Sequence, residues 1–489
     1  MLSNSRQIST EKPISPGEAN ISLGYLAQPH PAPPPSSTHL AEAMGVQTIA
    51  DLGSLLNKTV LLRVDANVSA ESTHFHHHPR TKQVSATLAR LSAAGARTIV
   101  LSHRSLGEDT SSAKASNHEI VQRLKASFPS LAPYLTFHAA RENERDRTMC
   151  AERAYFRRLH MLFKELPAGH AIFLENTRLF PSEREERTRG RLKLLANSVD
   201  YVVYDGFGVG HRGGQLSVDG IIRDLTFERK CLGPAAMTEW EQVLSFAKTA
   251  APQATALVLG GDIDKFESKL NLVIEILKSD RVGLVYLGGV FGTSWLHVHG
   301  CALGRTPVSR NARALEKLRS IADTFNHVRF ELPSAYVGLT PSKELCRWQI
   351  SSKRGASQHV HLPDSAIALD QPESDLSPLL EKRGISQVIA VGPLGFYSMK
   401  PFHEGTVGTY RLLAKWAQAK EERKLLVGGG NSVEALLDMP DFREPRAPSV
   451  MVSSGGGALL NAVAEAFKVR GDPSLIQTPT IRALRRPRR

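Results

Sequence analysis

Short apolar runs that end in polar or glycine-rich joints recur along most of this chain. The first, Val60, Leu61, Leu62 and Val64, is β-branched and aliphatic and predicts a buried parallel strand ending at Asp65 and Asn67. Val84, Leu88 and Leu91 then fall at i, i+4 and i+7, which predicts a helix closed by Gly95. Further strands are expected at 97–101, 171–174 and 200–204. Their carboxyl ends deliver Ser102, His103 and Arg104, then Glu175, Asn176 and Arg178, then Asp205, Gly206, His211 and Arg212. An Ala, Leu, Glu and Trp-rich stretch at 230–249 reads as one helix, and the hinge between two halves is placed there. Beyond it, strands at 254–259, 285–289, 388–395, 425–430 and 450–457 each run into glycine. Leu270, Val273, Ile274 and Leu277 mark a helix face after the first of these. The alternation predicts an α/β protein with a parallel sheet in each half, 46–229 and 250–467.

Open α/β sheets hold ligands at the carboxyl ends of their strands. Asp65, Asn67, His103, Arg178 and Arg212 all fall at such ends, with Arg80 close by in sequence. Asp65 and Asn67 could cap a turn, and each arginine alone could be an ordinary surface charge. Several planar guanidinium forks at equivalent sheet positions suit a small, multiply anionic metabolite.

The second half offers glycine in place of arginine. Gly260 and Gly261 precede Lys265 and Lys269, and further joints carry Gly288 and Gly289, Gly392 and Pro393, Gly429, Gly430, Asn431 and Ser432, and Gly455 and Gly456. A single Gly-Gly makes a tight turn. Repeated at successive strand ends, bare backbone and helix amino termini make a nucleotide cradle. The sequence contains no GxxxxGK[ST], which disfavours a P-loop NTPase. The GxGxxG at 208–213 lacks an amphipathic helix after it and is not read as a dinucleotide fingerprint. His74, His76, His77 and His78 are expected in an exposed loop, because histidines without carboxylate or cysteine partners rarely close a metal sphere.

Composition adds three constraints. The formal charge of +13 favours anionic partners without choosing among metabolites, nucleic acid or acidic surfaces. Cys150, Cys231, Cys301 and Cys346 are far apart, so neither a zinc site nor a disulfide framework is indicated and a reducing compartment such as the cytoplasm is expected. No apolar run is long enough to span a membrane. Residues 1–45 read as a flexible Pro- and Ser-rich extension, with the stretch 29–37 unsuited to helix or sheet; it makes a poor transit peptide, and organelle import stays open. Residues 468–489 read as a basic tail, and Arg482, Arg485, Arg486, Arg488 and Arg489 fit a solvated terminus better than a nucleic-acid or docking arm. The charged stretch 141–158 fits a surface helix, with a docking role as the alternative.

Taken in order, these motifs resemble the phosphoglycerate kinase family over roughly 46–467. Residues 63–68 (RVDANV) resemble RVDFNVP, and Arg80 falls where that family keeps a catalytic arginine. Ser102 and His103, LENTRLFP at 174–181 and DGFGVGHR at 205–212 resemble the remaining glycerate-site motifs, while Lys265 and Lys269, GPLGFY, GGGNS and SSGGGA resemble the nucleotide-site motifs. The resemblance implies two Rossmann-like lobes facing a cleft, joined by a hinge helix that allows closure. Phosphoryl transfer would run between 1,3-bisphosphoglycerate and ADP, with Mg2+ accompanying ATP or ADP, in a monomer. It assigns Asp65, Asn67, Arg80, His103, Arg178 and Arg212 to the glycerate and the glycine joints to the nucleotide. Arg80 and Lys265 would contact the transferred group.

Departures from the family pattern cluster in the nucleotide site. Asn431 and Ser432 stand where the family has Asp-Thr, so the resemblance leaves Asn431 as the metal position with a neutral oxygen. Ser268 replaces an acid, Ser398 the glutamate that holds the ribose, and Val391 an asparagine. Residues 103–107 read HRSLG in place of HLGRP, with Leu106 at the family's arginine; Gly214 replaces a histidine, and two extra residues separate Gly261 from Lys265. These changes leave two alternatives to a working kinase: a catalytically impaired relative that binds nucleotide or phosphorylated metabolite, and a docking protein using the basic tail.

Overall fold

Val, Ile and Leu runs that bury both faces build two parallel sheets in the computed structural model. It describes residues 35–104, 115–141, 144, 148–183, 191–261, 263–349, 361–362, 366–372, 376–400, 402–439 and 448–487. Leu106, Arg488, Arg489 and the extension up to residue 34 lie outside the described residues.

The first sheet comprises β1 (Thr59–Val64), β2 (Arg97–Leu101), β3 (Leu135–His138), β4 (Ala171–Leu174), β5 (Tyr201–Asp205) and β6 (Lys230–Leu232), in the spatial order β3-β4-β2-β1-β5-β6. β1 pairs in parallel with β2 on one side and β5 on the other, so the chain reverses its direction of winding at β1. That reversal opens a crevice at the strands' carboxyl ends, where Asp65 and His103 emerge.

The second sheet repeats the device. It contains β7 (Thr255–Leu259) and β8 (Val282–Leu287). A short parallel pair is formed by β9 (Ala302–Leu303) with a later strand, and β10 (Arg329–Glu331) extends the second sheet. Next come β11 (Ala335–Leu339), β12 (Leu345–Gln349), β13 (His361–Leu362), which pairs with β9, and β14 (Ile367–Asp370). β11, β12 and β14 form an antiparallel three-stranded sheet. β15 (Gln387–Val391), β16 (Lys424–Gly428) and β17 (Val450–Ser453) complete the large sheet, ordered β10-β8-β7-β15-β16-β17. Its switch point lies between β7 and β15.

Gly260 and Gly392 meet there. A Cβ at Gly260 would overlap the Pro393 carbonyl, and one at Gly392, where φ is 94°, would overlap the Gly260 carbonyl. Only glycine allows two strand ends to approach this closely.

The helix Pro234–Thr249 follows β6 and joins the halves; β6 itself belongs to the first sheet, so the helix begins later than residue 230. Ala236, Trp240, Val243 and Phe246 bury one side of it in an apolar core that runs on to Leu257, Leu459 and Phe467 of the second half. Two terminal segments differ from the sequence expectation. Pro35–Met44 is helical, with Ala41 and Met44 buried. At the other end, Pro479–Leu484 forms a helix whose Ile481 and Leu484 are buried against the first half. Arg485 Nε donates to the Met44 carbonyl at 2.8 Å, and the Arg486 guanidinium lies 4.8 Å from the Phe227 ring centre. Among the described residues no helix is long and apolar enough to cross a membrane.

Candidate functional site

The loop after β1 begins the site. Asp65 is buried; its carboxylate accepts from the Asn67 amide at 3.2 Å and lies 3.4 Å from Arg80 Nε. Arg80 is the second residue of the helix Pro79–Ala93, behind Pro79 at its first position and His78 as its cap, a favoured arrangement. Its guanidinium reaches across the gap between the halves. Nε donates to the Ser454 carbonyl at 2.8 Å, Nη2 donates to the same carbonyl, and Nη1 donates to the Asn67 carbonyl.

His103 follows β2. It is buried beside Arg63 Nη2 at 3.4 Å, and Arg63 itself is held by the carbonyls of Ser217, Val64 and Leu101. Burial first, then the charges of Arg63, Arg178, Arg212 and Arg80, hold its pKa well below 6.5. His103 therefore presents a neutral imidazole to any ligand. A depressed folded pKa means that the unfolded chain binds more protons below about pH 6.5, so this part of the stability is complete above that pH and is lost as pH falls toward the folded value. His103→Gln is expected to flatten the acid limb of a thermal-midpoint-against-pH curve; an unchanged limb would count against the assignment.

Asn176, between β4 and Arg178, ties two loops together. Its Oδ1 accepts from the Arg104 amide at 2.9 Å and the Arg178 amide at 3.1 Å, while Nδ2 donates to the carbonyls of Arg104 and Ala115. Past β5, Gly208 packs against Asp65, and His211 approaches Gly457 of the opposite half. Burial and then Arg212 lower the His211 pKa to about 4.

On the facing wall, Lys269 Nζ donates to the Gly260 carbonyl at 3.1 Å, while Lys265 is exposed. Gly429, at φ 103°, turns the chain into the helix Gly430–Leu437, which places Asn431 and Ser432 in its first turn. Ser432 Oγ is buried and already engaged: it accepts from the Gly392 amide at 2.8 Å and lies 3.1 Å from Tyr410 Oη. Gly456 precedes the helix Gly457–Lys468.

These groups share one cavity of about 550 Å3. Asp65, Asn67, Arg80, His103, Arg178 and Arg212 line it from the first half; Lys265, Lys269, Gly392, Pro393, Gly429, Gly430, Asn431, Ser432 and Gly456 line it from the second. Gly455 instead abuts Gly208, and Gly288 caps the helix Gly289–Val298. Gly289 lines an adjoining slot of about 360 Å3 walled by Ile263, Val290, Leu394 and Phe396, with Asp264, Thr293, Tyr336 and Asp370 at its polar places. This slot went unrecognised in the sequence because its residues come from six separated segments.

Three cross-half links were also unrecognised. Glu239, buried on the connecting helix, accepts from Ser453 Oγ at 2.6 Å, from the Ser454 amide and from Gln83 at 3.1 Å. Ser72 Oγ donates to Glu434 at 2.7 Å and His74 Nε2 lies 2.8 Å from Asp438. His74 and His78 are thus buried, in contrast to the exposed loop expected for the histidine run.

The cavity wall tests the implied magnesium ion directly. Among the described residues its only carboxylate is Asp65, on the first half and beside Arg80. Asn431 offers a neutral oxygen, the Ser432 hydroxyl is turned to Gly392, and no cluster of three metal-binding side chains occurs among the described residues. A hard dication prefers charged oxygen ligands. These residues do not fit a magnesium ion held by the protein.

Comparison with known proteins places the chain. Residues 49–465 match the family model described as Phosphoglycerate kinase. Phosphoglycerate kinase of Rhodospirillum centenum is 27% identical over 85% of this chain and 96% of its own length. That of Roseiflexus castenholzii is 28% identical over 85% and 96%. The structure of phosphoglycerate kinase from Pyrococcus horikoshii superposes with a TM-score of 0.65 at 23% identity, covering 89% of this chain and 98% of that one.

Proposed function

The chain belongs to the phosphoglycerate kinase family, and we propose that it moves a phosphoryl group between ATP and 3-phosphoglycerate in the cleft between its halves. The observation that carries this reading is the single cavity in which Arg80, Arg178 and Arg212 face Lys265 and Lys269 from opposite sheets. Such transfer needs in-line positioning and cancellation of charge on the equatorial oxygens, with little covalent chemistry asked of the protein.

Arg178, Arg212, neutral His103 and Asn67 would hold the carboxylate, hydroxyl and phosphate of the glycerate. Asp65 and the Asn67 carbonyl orient Arg80, whose fork would meet the transferred group opposite Lys265. The backbone N–H groups at the start of the helices Gly430–Leu437 and Gly457–Lys468 would take the remaining phosphate oxygens. The apolar slot suits a flat base, with Ser398 as a weaker ribose contact than a carboxylate.

A second reading, an impaired relative that binds the same ligands, is favoured by the neutral residues Asn431 and Ser268 in the nucleotide wall. A coupled turnover assay with ATP, 3-phosphoglycerate and magnesium separates the two. Turnover that requires both substrates supports the kinase; occupancy of both sites without turnover supports the binding protein.

A further inference from the structure

Among the described residues, five arginine and lysine side chains line the cleft, Arg80, Arg178, Arg212, Lys265 and Lys269, against one carboxylate, Asp65. The histidine pair adds no charge near neutrality, since burial lowers both His103 and His211. On the nucleotide wall, the described residues carry lysine, serine, asparagine and glycine with no acid at all. Asp264 lies exposed in the neighbouring slot, next to Lys265, and Asp262 lies outside the described residues.

A positive field of this kind discriminates between two forms of one nucleotide. Free ADP carries two more negative charges than its magnesium complex, and the cleft gains more by receiving the more negative form. A carboxylate on the wall would reverse that preference by attracting the ion, which is usually bound through one or two carboxylates and the substrate phosphates. Asn431 removes that attraction. Lys265 and Lys269 remain to meet the phosphates, and the first turns of two helices, whose leading residues line the cavity, add N–H donors.

We propose that the cleft takes its nucleotide preferentially as the metal-free anion, with Lys265, Lys269 and the two glycine-led helix starts supplying the positive charge. This rests on the nucleotide-binding reading above. It concerns the bound form of the nucleotide and is independent of whether transfer follows.

Calorimetric titration of the full chain with ADP, once in EDTA and once in excess magnesium chloride at matched ionic strength, tests it. The expected result is affinity about tenfold higher in EDTA, the order given by two extra charges in a partly screened site. Asn431→Asp, at an exposed position, is expected to reverse the order so that magnesium tightens binding. Equal or tighter binding in magnesium by the unaltered chain overturns the proposal while leaving nucleotide binding intact. If that tightening disappears in the double variant Asp262→Asn/Asp264→Asn, the ion is held by the carboxylates that precede Lys265 in the sequence. No ADP binding in either buffer overturns the proposal and the nucleotide-binding reading together.

Discussion

Arg80→Ala is expected to lower turnover in the coupled assay by at least about 10²-fold, the scale seen when one group that stabilises transition-state charge is removed. The guanidinium is the only described side chain that bonds the Asn67 carbonyl of one half and the Ser454 carbonyl of the other. Its position at the seam puts positive charge where a group passing between the two sheets must cross. Alanine removes that charge and the bonds to both carbonyls. The loss is expected mainly in kcat, since Arg178 and Arg212 remain to bind the glycerate. Arg80→Lys keeps the charge without the planar fork and should fall between the two. Unchanged kcat in Arg80→Ala would remove this residue from the reacting centre.

The largest expected effect on stability comes from a methyl group. Gly260→Ala is expected to destabilise the chain by about 3 kcal/mol, at the upper end for overpacking, because the strand ends it would separate are paired along their length. The new Cβ would overlap the Pro393 carbonyl and press on that of Gly392. β7 and β15 are in register from Thr255 to Leu259, so neither end can retreat without breaking the ladder. Lys269 also donates to the Gly260 carbonyl, and nucleotide affinity should fall with the fold. Gly430→Ala is the control. A Cβ there meets nothing within 4 Å, so its thermal midpoint should stay close to that of the unaltered chain. Equal midpoints for the Gly260 and Gly430 variants in thermal unfolding would contradict the packing argument.

Both predictions turn on features that the sequence displayed unequally. The strand runs were legible because Val, Ile and Leu at 60–64, 97–101 and 387–391 bury both faces of a parallel sheet, leaving little competing structure. Residues at the strand ends were legible for the same reason, since chain direction alone places them at the crevice. The stripe of Val84, Leu88 and Leu91 marked the helix that carries Arg80, and all three are buried.

What went unread depends on partners distant in the chain. His74 looked like part of an exposed loop because Asp438 is 364 residues away. The Pro-rich start ended in a helix because Pro35 occupies a position where its missing N–H costs nothing, and Ala41 and Met44 then find a core. The basic terminus folds because Ile481 and Leu484, set among arginines, fill a depression in the first half. Local polarity outweighed two apolar residues in the sequence reading; tertiary contact reversed the balance. The small antiparallel sheet was missed because its edge strand β12 (LCRWQ) has no buried residue, and β11 and β14 bury only part of their short runs.

The central claim is that a phosphoryl group passes directly between nucleotide and glycerate within this one cleft. A single-turnover experiment with protein in excess over ATP radiolabelled in its terminal phosphate, with 3-phosphoglycerate present and the reaction quenched rapidly so that the labelled acyl phosphate is separated intact, tests it most directly. Label transferred to the glycerate carboxylate by the unaltered chain, and lost with Arg80→Ala, is the result expected. Both ligands bound at saturation with the label remaining on ATP would contradict it.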